Sequence, residues 1–349
     1  NWFLIFVLPY DELFSGLYLV TLRLILLAVL GILAIYFLIA YISDRLIKPL
    51  RVVTDQLNEF SKESGMPPRD AYNEIKLVSE SLKSLKLWHK KQKDEHNRFV
   101  IKNNQQQQDL QQASEIQQSI IKTNFPAFPD RNEIDIHAIY KPAREVSGDL
   151  FDFFFITDED LVFTIGDVSG KGVPAAIFMS ISQTIIKANA LYKKAKNIVN
   201  KANVEMCTNN QHQFFLTLFL GVLKLNKNEL YYCNAAHTTA LILKDDGTII
   251  ELNQSHGLPL GLYPDKDYAD SKIPLEKNDT IILYTDGVTE LQNHTKEQFG
   301  IGQFKSLIKT LHGMRASEMA KQIETKLDEY RGDTPQYDDI SVLIVKYKA

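Results

Sequence analysis

Cysteine is nearly absent from this sequence: Cys207 and Cys233 are the only two among 349 residues. They lie far apart with no CxxC pair, which excludes a disulfide framework and a thiolate zinc site. A basic excess is missing too. With 39 Lys and Arg against 43 Asp and Glu the formal net charge is −4, whereas a nucleic-acid surface needs cations to displace phosphate counterions, so no nucleic-acid partner is expected. Glycine and proline do not occur in residues 86–124, and no charged residue occurs from Leu24 to Ile42. The chain opens NWFLIFVLPY without a methionine, and is expected to be a piece of a longer protein. What is present is a 45% hydrophobic composition with mixed charge, enough for one or two folded domains.

The uncharged run Leu24–Ile42, LILLAVLGILAIYFLIAYI, has 19 residues. At about 1.5 Å per residue it reaches roughly the thickness of a bilayer's hydrocarbon core. It predicts a membrane-spanning helix within 14–42, because a buried core helix would carry a polar stripe and a signal peptide would be shorter and end in a small-residue cleavage site. Asp11 and Glu12 precede the run, and Arg45, Lys48 and Arg51 follow it. That bias places everything after Ile42 in the cytosol and residues 1–13 at the end of an extracytoplasmic segment. Arg23, on the outer side, snorkels toward the headgroups. The expected location is the inner, cytoplasmic membrane, with lipid around a single span.

Leu46, Leu50, Val53, Leu57 and Phe60 recur every three or four residues, as do Ile75, Val78, Leu82 and Leu85, and SGMPP separates the two sets. Two short helices with such narrow apolar stripes cannot bury them alone and are expected to pair with a second copy. With Pro49 in the first helix and Glu74 opening the second, residues 43–90 resemble a HAMP domain, a signal-relaying parallel bundle of dimeric receptors. Asn73 replaces the first of that family's two acidic residues. Residues 91–129 are Lys- and Gln-rich and include NNQQQQDLQQ, a composition that also suits a low-complexity linker. Leu110, Ala113, Gln117 and Ile120 keep a heptad-like spacing up to the stop at NFPAFP, which predicts a helical coiled-coil linker and a homodimer.

From Ile134 the pattern changes to short β-rich runs: IDIHAIY, DLFDFFFI, LVFTIGDV, QFFLTLFLGVLKL, ELYYCNAAH, TALILK, DTIILYT and DISVLIVKY. Helical stretches fall at 174–191 and 303–330. Many strands with few longer helices predict an α+β domain over 130–349 built on antiparallel sheets. If TDED turns the first hairpin with Thr157 opposite Asp160, Asp149 pairs with Val168, next to Asp167. Both aspartates then lie at one open end, close enough to repel unless a cation or proton sits between them. TIILYTDG is an apolar strand ending in Asp286, and YDDISVLIV is one beginning at Asp338 and Asp339. Antiparallel neighbours would bring that tail beside that head. Aspartate is common in turns and at strand ends, so any one of these alone reads as structural. Four in matched strand contexts, with no Lys or Arg in three of the motifs, predict an oxygen-ligand site for a hard divalent cation such as Mg2+ or Mn2+.

In order and spacing, SGDLFD, GDVSGKGVPAA, NAAH, GLPLG, LYTDGVTE and YDDIS resemble the PPM-type metal-dependent serine/threonine phosphatases, specifically the bacterial branch that includes SpoIIE and RsbU. The resemblance covers about 134–349, and EIQQSIIKTNFP is similar to the short helix that precedes the domain in that branch. It implies an antiparallel β-sandwich flanked by helices, holding two Mn2+ or Mg2+ ions. By the same resemblance Asp167 would bridge the two ions, with the Val168 carbonyl as a further ligand. Asp149 would bind the second ion directly or through water, and Asp286 and Asp338 would complete the first. The family's signature puts the ligand first, which favours Asp338 over Asp339. Asp167 and Asp149 would thus be catalytic, activating a water for in-line attack on a phosphoserine or phosphothreonine. Ala236 stands where the family commonly has Gly, and Lys171 where His is frequent. Arg144, five residues before Asp149, has the spacing of a phosphate-binding arginine in eukaryotic relatives, and also reads as a solvated surface side chain. His237 reads as a general acid or as a structural histidine, and the sequence names no general acid.

The expectation is a membrane-anchored sensor phosphatase whose HAMP packing, relayed by the coiled linker, regulates the PPM domain. By resemblance its substrate is a phosphorylated STAS-type anti-anti-sigma protein. The alternative is a catalytically degenerate PPM domain that binds a partner, which the presence of all four aspartates opposes. A histidine kinase or cyclase output fits less well: no Gly-rich nucleotide lid follows a phospho-acceptor histidine helix, and SGDLFD shares only a fragment with the GGDEF cyclases.

Overall fold

The computed structural model describes residues 10–48, 69–208 and 210–349, and the chain divides into two units, 1–98 and 99–349. In the first, helix α1 (Tyr10–Ile42) continues into a π-helical turn at Ser43–Ile47. Its stretch Leu22–Arg45 has a mean hydropathy of 2.8 and is nowhere buried, so one helix is long and apolar enough to cross a membrane. Pro49 and the rest of the expected first HAMP helix, with its SGMPP connector, lie outside the described residues. Helix α2 (Arg69–Ile120) runs unbroken through the Gln-rich tract, where no glycine or proline interrupts the hydrogen-bond ladder. It stops short of residue 129, since the prolines of NFPAFP cannot extend it.

The second unit holds two five-stranded antiparallel sheets. One has the order β1 (Ile134–Lys141), β10 (Ile340–Tyr347), β9 (Thr280–Tyr284), β6 (Ala240–Leu243) and β7 (Ile249–Leu252). The other runs β2 (Asp149–Phe155), β3 (Asp160–Val168), β4 (Leu216–Lys224), β5 (Glu229–Ala235) and β8 (Ser271–Pro274). The apolar run of β10 shows how the layers stack. Alternate residues of a strand face opposite sides. Ile340, Val342 and Ile344 pack with Phe304 and Ile308 of α6 (Gly300–Lys309) and with Met319 and Ile323 of α7 (Ala316–Arg331). Leu343, Val345 and Tyr347 instead join Phe151, Phe153, Phe163 and Phe219 of the other sheet. Both faces are covered, so the strand shows no polar alternation. Helices α3 (Val173–Asn189) and α4 (Ala195–Thr208) pack against the second sheet through Ala175, Met179, Ile186, Ile198 and Val199. The expected sandwich flanked by helices is the observed fold, and each fully buried Leu, Ile or Phe in it contributes about 1.5–3 kcal/mol.

The structure redraws some local elements. The stretch expected as one helix over 303–330 is two, parted by a turn at 310–315, while α4, β7 and β8 carry patterns too short or too polar to stand out. The first hairpin also turns differently. The Ile156 amide donates to the Asp160 carbonyl at 3.0 Å, leaving a three-residue loop in which the Thr157 hydroxyl accepts the Asp160 amide at 3.0 Å. The register therefore moves by one residue, and Asp149 lies opposite Asp167 rather than Val168.

Candidate active site

Asp149 opens β2 and Asp167 is next to last in β3, directly paired across the ladder. Opposed residues of an antiparallel pair have Cβ atoms about 5 Å apart. In the other sheet, Val342 pairs with Tyr284, and the Thr285 amide extends the ladder to the Ser341 carbonyl at 3.0 Å. This places Asp286 by Asp338 and Asp339, as the strand argument expects. The elements differ in one respect: β9 stops at Tyr284, and Asp286 opens a one-turn helix, α5 (Asp286–Thr289). Gly287 permits that turn, because a Cβ there would lie 1.9 Å from the Asp339 carbonyl oxygen. Thr285 joins the two halves. Its buried hydroxyl donates to Asp149 Oδ2 at 2.8 Å and accepts the Ser341 amide at 3.0 Å.

The electrostatics record how closely the carboxylates face one another. Burial, then the charges of Asp167 and Asp339, push the Asp149 carboxyl well above the ordinary range. Burial, then Asp286, Asp338 and Asp339, raise Asp167 to about 7. Asp286 is raised by burial and by Asp338 and Glu290. Clustered carboxylates of this kind favour a proton or a cation. Among the described residues no three acidic, histidine or cysteine side chains close into a cage around one point. Carboxylate and carbonyl oxygens are the donors that Mg2+ and Mn2+ take, and these ions keep several water ligands beside them. Gly148 also fits: a Cβ there would stand 3.1 Å from the Val168 carbonyl oxygen and 3.5 Å from Asp167 Oδ1, so the glycine leaves both oxygens uncrowded.

Asp338 and Asp339 have different work. The Asp339 carboxylate accepts the Ala143 amide at 2.7 Å, the Ser147 hydroxyl at 2.6 Å and the Gly148 amide at 3.0 Å. It anchors the loop that delivers Asp149, and its lone pairs are largely taken. Asp338 faces Lys171 at 2.9 Å and accepts the Asp339 amide at 3.1 Å. Ser147 is a hub that the sequence reading passed over: its hydroxyl also accepts the Asp149 amide at 3.0 Å. Its backbone is held by Gln117 of α2, which donates to the Ser147 carbonyl at 2.8 Å and accepts its amide at 3.0 Å. Gln117, placed in the expected coiled-coil seam, is instead buried against its own domain, as are Ser114 and Ile121, while Ile120 is exposed. A polar residue in an otherwise apolar stripe was the available signal for Gln117, and the threonine and serine inside LYTDGVTE and SGDLFD were the signals for Thr285 and Ser147.

The remaining candidates separate cleanly. Arg144 is exposed, with no ion pair or hydrogen bond among the described residues. His237 lies behind Asp167: its Nδ1 meets the Thr217 hydroxyl at 2.9 Å, and Thr217 pairs with Asp167. Its Nε2 is buried without a partner, and burial lowers its pKa to about 4. A lowered pKa disfavours the imidazolium that a general acid would need at neutral pH, which supports the structural reading of His237 over the acid one. Ala236 has a left-handed φ of 56°, which explains the preference for glycine at that position. Of the hairpin's other acids, Asp152 pairs with Lys122 at 2.8 Å and Asp160 with Lys224 at 2.9 Å, away from the cluster.

Residues 157–348 match the family Stage II sporulation protein E (SpoIIE). Phosphoserine phosphatase RsbU of Bacillus subtilis is 30% identical over 252 residues, covering 69% of this chain and 70% of RsbU. Protein IcfG of Synechocystis sp. is 30% identical over 265 residues, covering 68% of this chain but only 41% of IcfG. The SiaA-PP2C domain of Pseudomonas aeruginosa superposes with a TM-score of 0.64 at 21% identity, over 70% of this chain and 98% of that domain. The RsbU and RsbW domains of Rv1364c from Mycobacterium tuberculosis superpose with a TM-score of 0.55 at 24% identity, over 62% of this chain and 60% of that one. The two-sheet, helix-flanked unit is a PP2C fold, and the chain belongs to the SpoIIE family.

Proposed function

We propose that this chain is a membrane-anchored, metal-dependent protein serine/threonine phosphatase that removes phosphate from a phosphoserine or phosphothreonine of a partner-switching regulator. The observation that carries the proposal is the convergence of Asp149 and Asp167 from one sheet with Asp286 and Asp338 from the other: beyond burial, Asp167 raises the pKa of Asp149, Asp286 and Asp338 raise that of Asp167, and Asp338 raises that of Asp286. The name of RsbU supports phosphoserine as the substrate class, and a STAS-type anti-anti-sigma protein is the proposed substrate.

Asp149, Asp167, Asp286, Asp338 and the Val168 carbonyl are the groups that would hold two Mn2+ or Mg2+ ions, which when bound lower the pKa of a water and neutralise charge on the phosphoryl oxygens. Around them the protein's own residues fix geometry. Thr285 and Ser147 orient Asp149 and Asp339 through hydrogen bonds. Such supporting bonds set ligand direction and are worth tenfold to a hundredfold in affinity or rate. Gln117 links that loop to α2, the helix along which a HAMP signal from α1 and residues 43–90, acting in a homodimer, would arrive.

The test is hydrolysis of p-nitrophenyl phosphate and of phosphorylated STAS proteins from the source organism. Turnover should require Mn2+ or Mg2+ and stop with EDTA. Metal binding by calorimetry without turnover on any of these substrates would replace the proposal with a partner-binding module.

A further inference from the structure

Cations are scarce around the carboxylates. Among the described residues Lys171 is the only cation in ion-pair contact with any of the four: its Nζ lies 2.9 Å from Asp338 Oδ1 and donates to the Tyr337 carbonyl at 2.9 Å. Gly170 and Gly172 flank it with φ of 91° and 79°, a tight reversal that L side chains avoid, and α3 starts directly after at Val173. This short loop holds Lys171 beside Asp338, with its side chain 45% exposed.

We propose that Lys171 is the side chain that grips the substrate's phosphoryl group, in the place that spacing alone offered to Arg144. The inference rests on the phosphatase reading and names the residue that recognises the dianion. A phosphomonoester brings about two negative charges toward a rim of aspartates. The ammonium is a compact point charge with three N–H donors, of which the carboxylate and carbonyl occupy two. The third is available to a non-bridging phosphate oxygen at the solvent edge. Arg144, exposed and without a partner, has nothing to hold it over the site.

The experiment uses the full chain loaded with Mn2+, with p-nitrophenyl phosphate as substrate and inorganic phosphate as competing product. Lys171→Met is expected to raise KM and the phosphate inhibition constant together by about tenfold while kcat changes less than about threefold, the signature of lost uniform binding. Lys171→Arg should restore most of both. Arg144→Ala should leave both within about twofold, since exposed unpaired charges contribute little. Mn2+ affinity by calorimetry should be the same in Lys171→Met as in the parent. Unchanged KM and phosphate inhibition in Lys171→Met would overturn the inference. So would a loss of Mn2+ affinity that tracks the rise in KM, which would mean that Lys171 acts only through Asp338. Direct calorimetry of inorganic phosphate on the Mn2+-loaded protein reads Lys171 even where turnover is absent, so failure of the phosphatase reading and failure of this inference are told apart.

Discussion

The two halves of the site differ in how they hold charge. Asp149 and Asp167 face each other across neighbouring strands, with Asp149 buried. Asp286 and Asp338 sit outside their strands, on a one-turn helix and in a loop, with Asp338 36% exposed and paired with Lys171. Strands fix the first pair rigidly and take Asp149 out of water, which makes bare negative charge costly there. The second pair stays partly hydrated. The buried half is therefore suited to defining the metal position, and the rim half to meeting the substrate.

This contrast can be tested from its strongest consequence downward. Asp167→Ala should lower kcat by on the order of 10³-fold and Asp338→Ala by roughly 10²-fold, by analogy with removal of one charge-stabilising group. The reverse order would show that the rim, and not the strand pair, dominates. Next comes pH. The fold raises the Asp167 pKa to about 7, so its contribution to stability is full below the ordinary carboxylate range and is lost as pH rises through about 7. In EDTA, calorimetric melting should fall between about pH 5 and pH 8, and Asp167→Asn should flatten that fall. Added Mn2+ should raise the wild-type melting temperature more at pH 8 than at pH 5, and an equal gain at both would argue against metal binding to these carboxylates.

A smaller effect is expected from the support of the buried half. Gln117→Ala strips both hydrogen bonds from the Ser147 backbone and should cost about 1–3 kcal/mol of stability in urea unfolding. Activity should fall about tenfold with it, as Asp149 loses its fixed direction. Gln118→Ala, whose side chain reaches only Ser114 on the same helix, is the control and should match the parent. Smallest is Ala236→Gly, which relieves a left-handed alanine and should stabilise by about 0.5 kcal/mol. A loss of stability there would mean that Ala236 contributes packing that its exposure does not suggest.

Much of this site was readable from particular residues. SGDLFD and GDVSGKG marked Asp149 and Asp167 because an acidic residue at each end of a hairpin must converge, whichever register the turn selects. The register differs by one from the two-residue turn: two-residue and three-residue loops are both compatible with ITDED, and only the Ile156–Asp160 hydrogen bond chooses between them. TDG and YDD marked Asp286 and Asp338, but that Asp339 rather than Asp338 anchors the 143–148 loop depends on Ala143, Ser147 and Gly148, some 190 residues earlier in the chain. Gln117 was visible as a polar residue on a helical stripe, with nothing nearby in sequence to say what it faces.

Sequence alone determined the apolar helix near the start, the long helix after it, the strand-rich domain and the four aspartates that meet between its sheets, because periodicity and short motifs are local properties. Tertiary structure decided the hairpin register, the separate hydrogen bonds of Asp338 and Asp339, the burial of His237 Nε2, the Gln117–Ser147 clasp and the place of Lys171. Those depend on hydrogen bonds and charges between residues distant along the chain, and only packing the two sheets together brings such residues within reach.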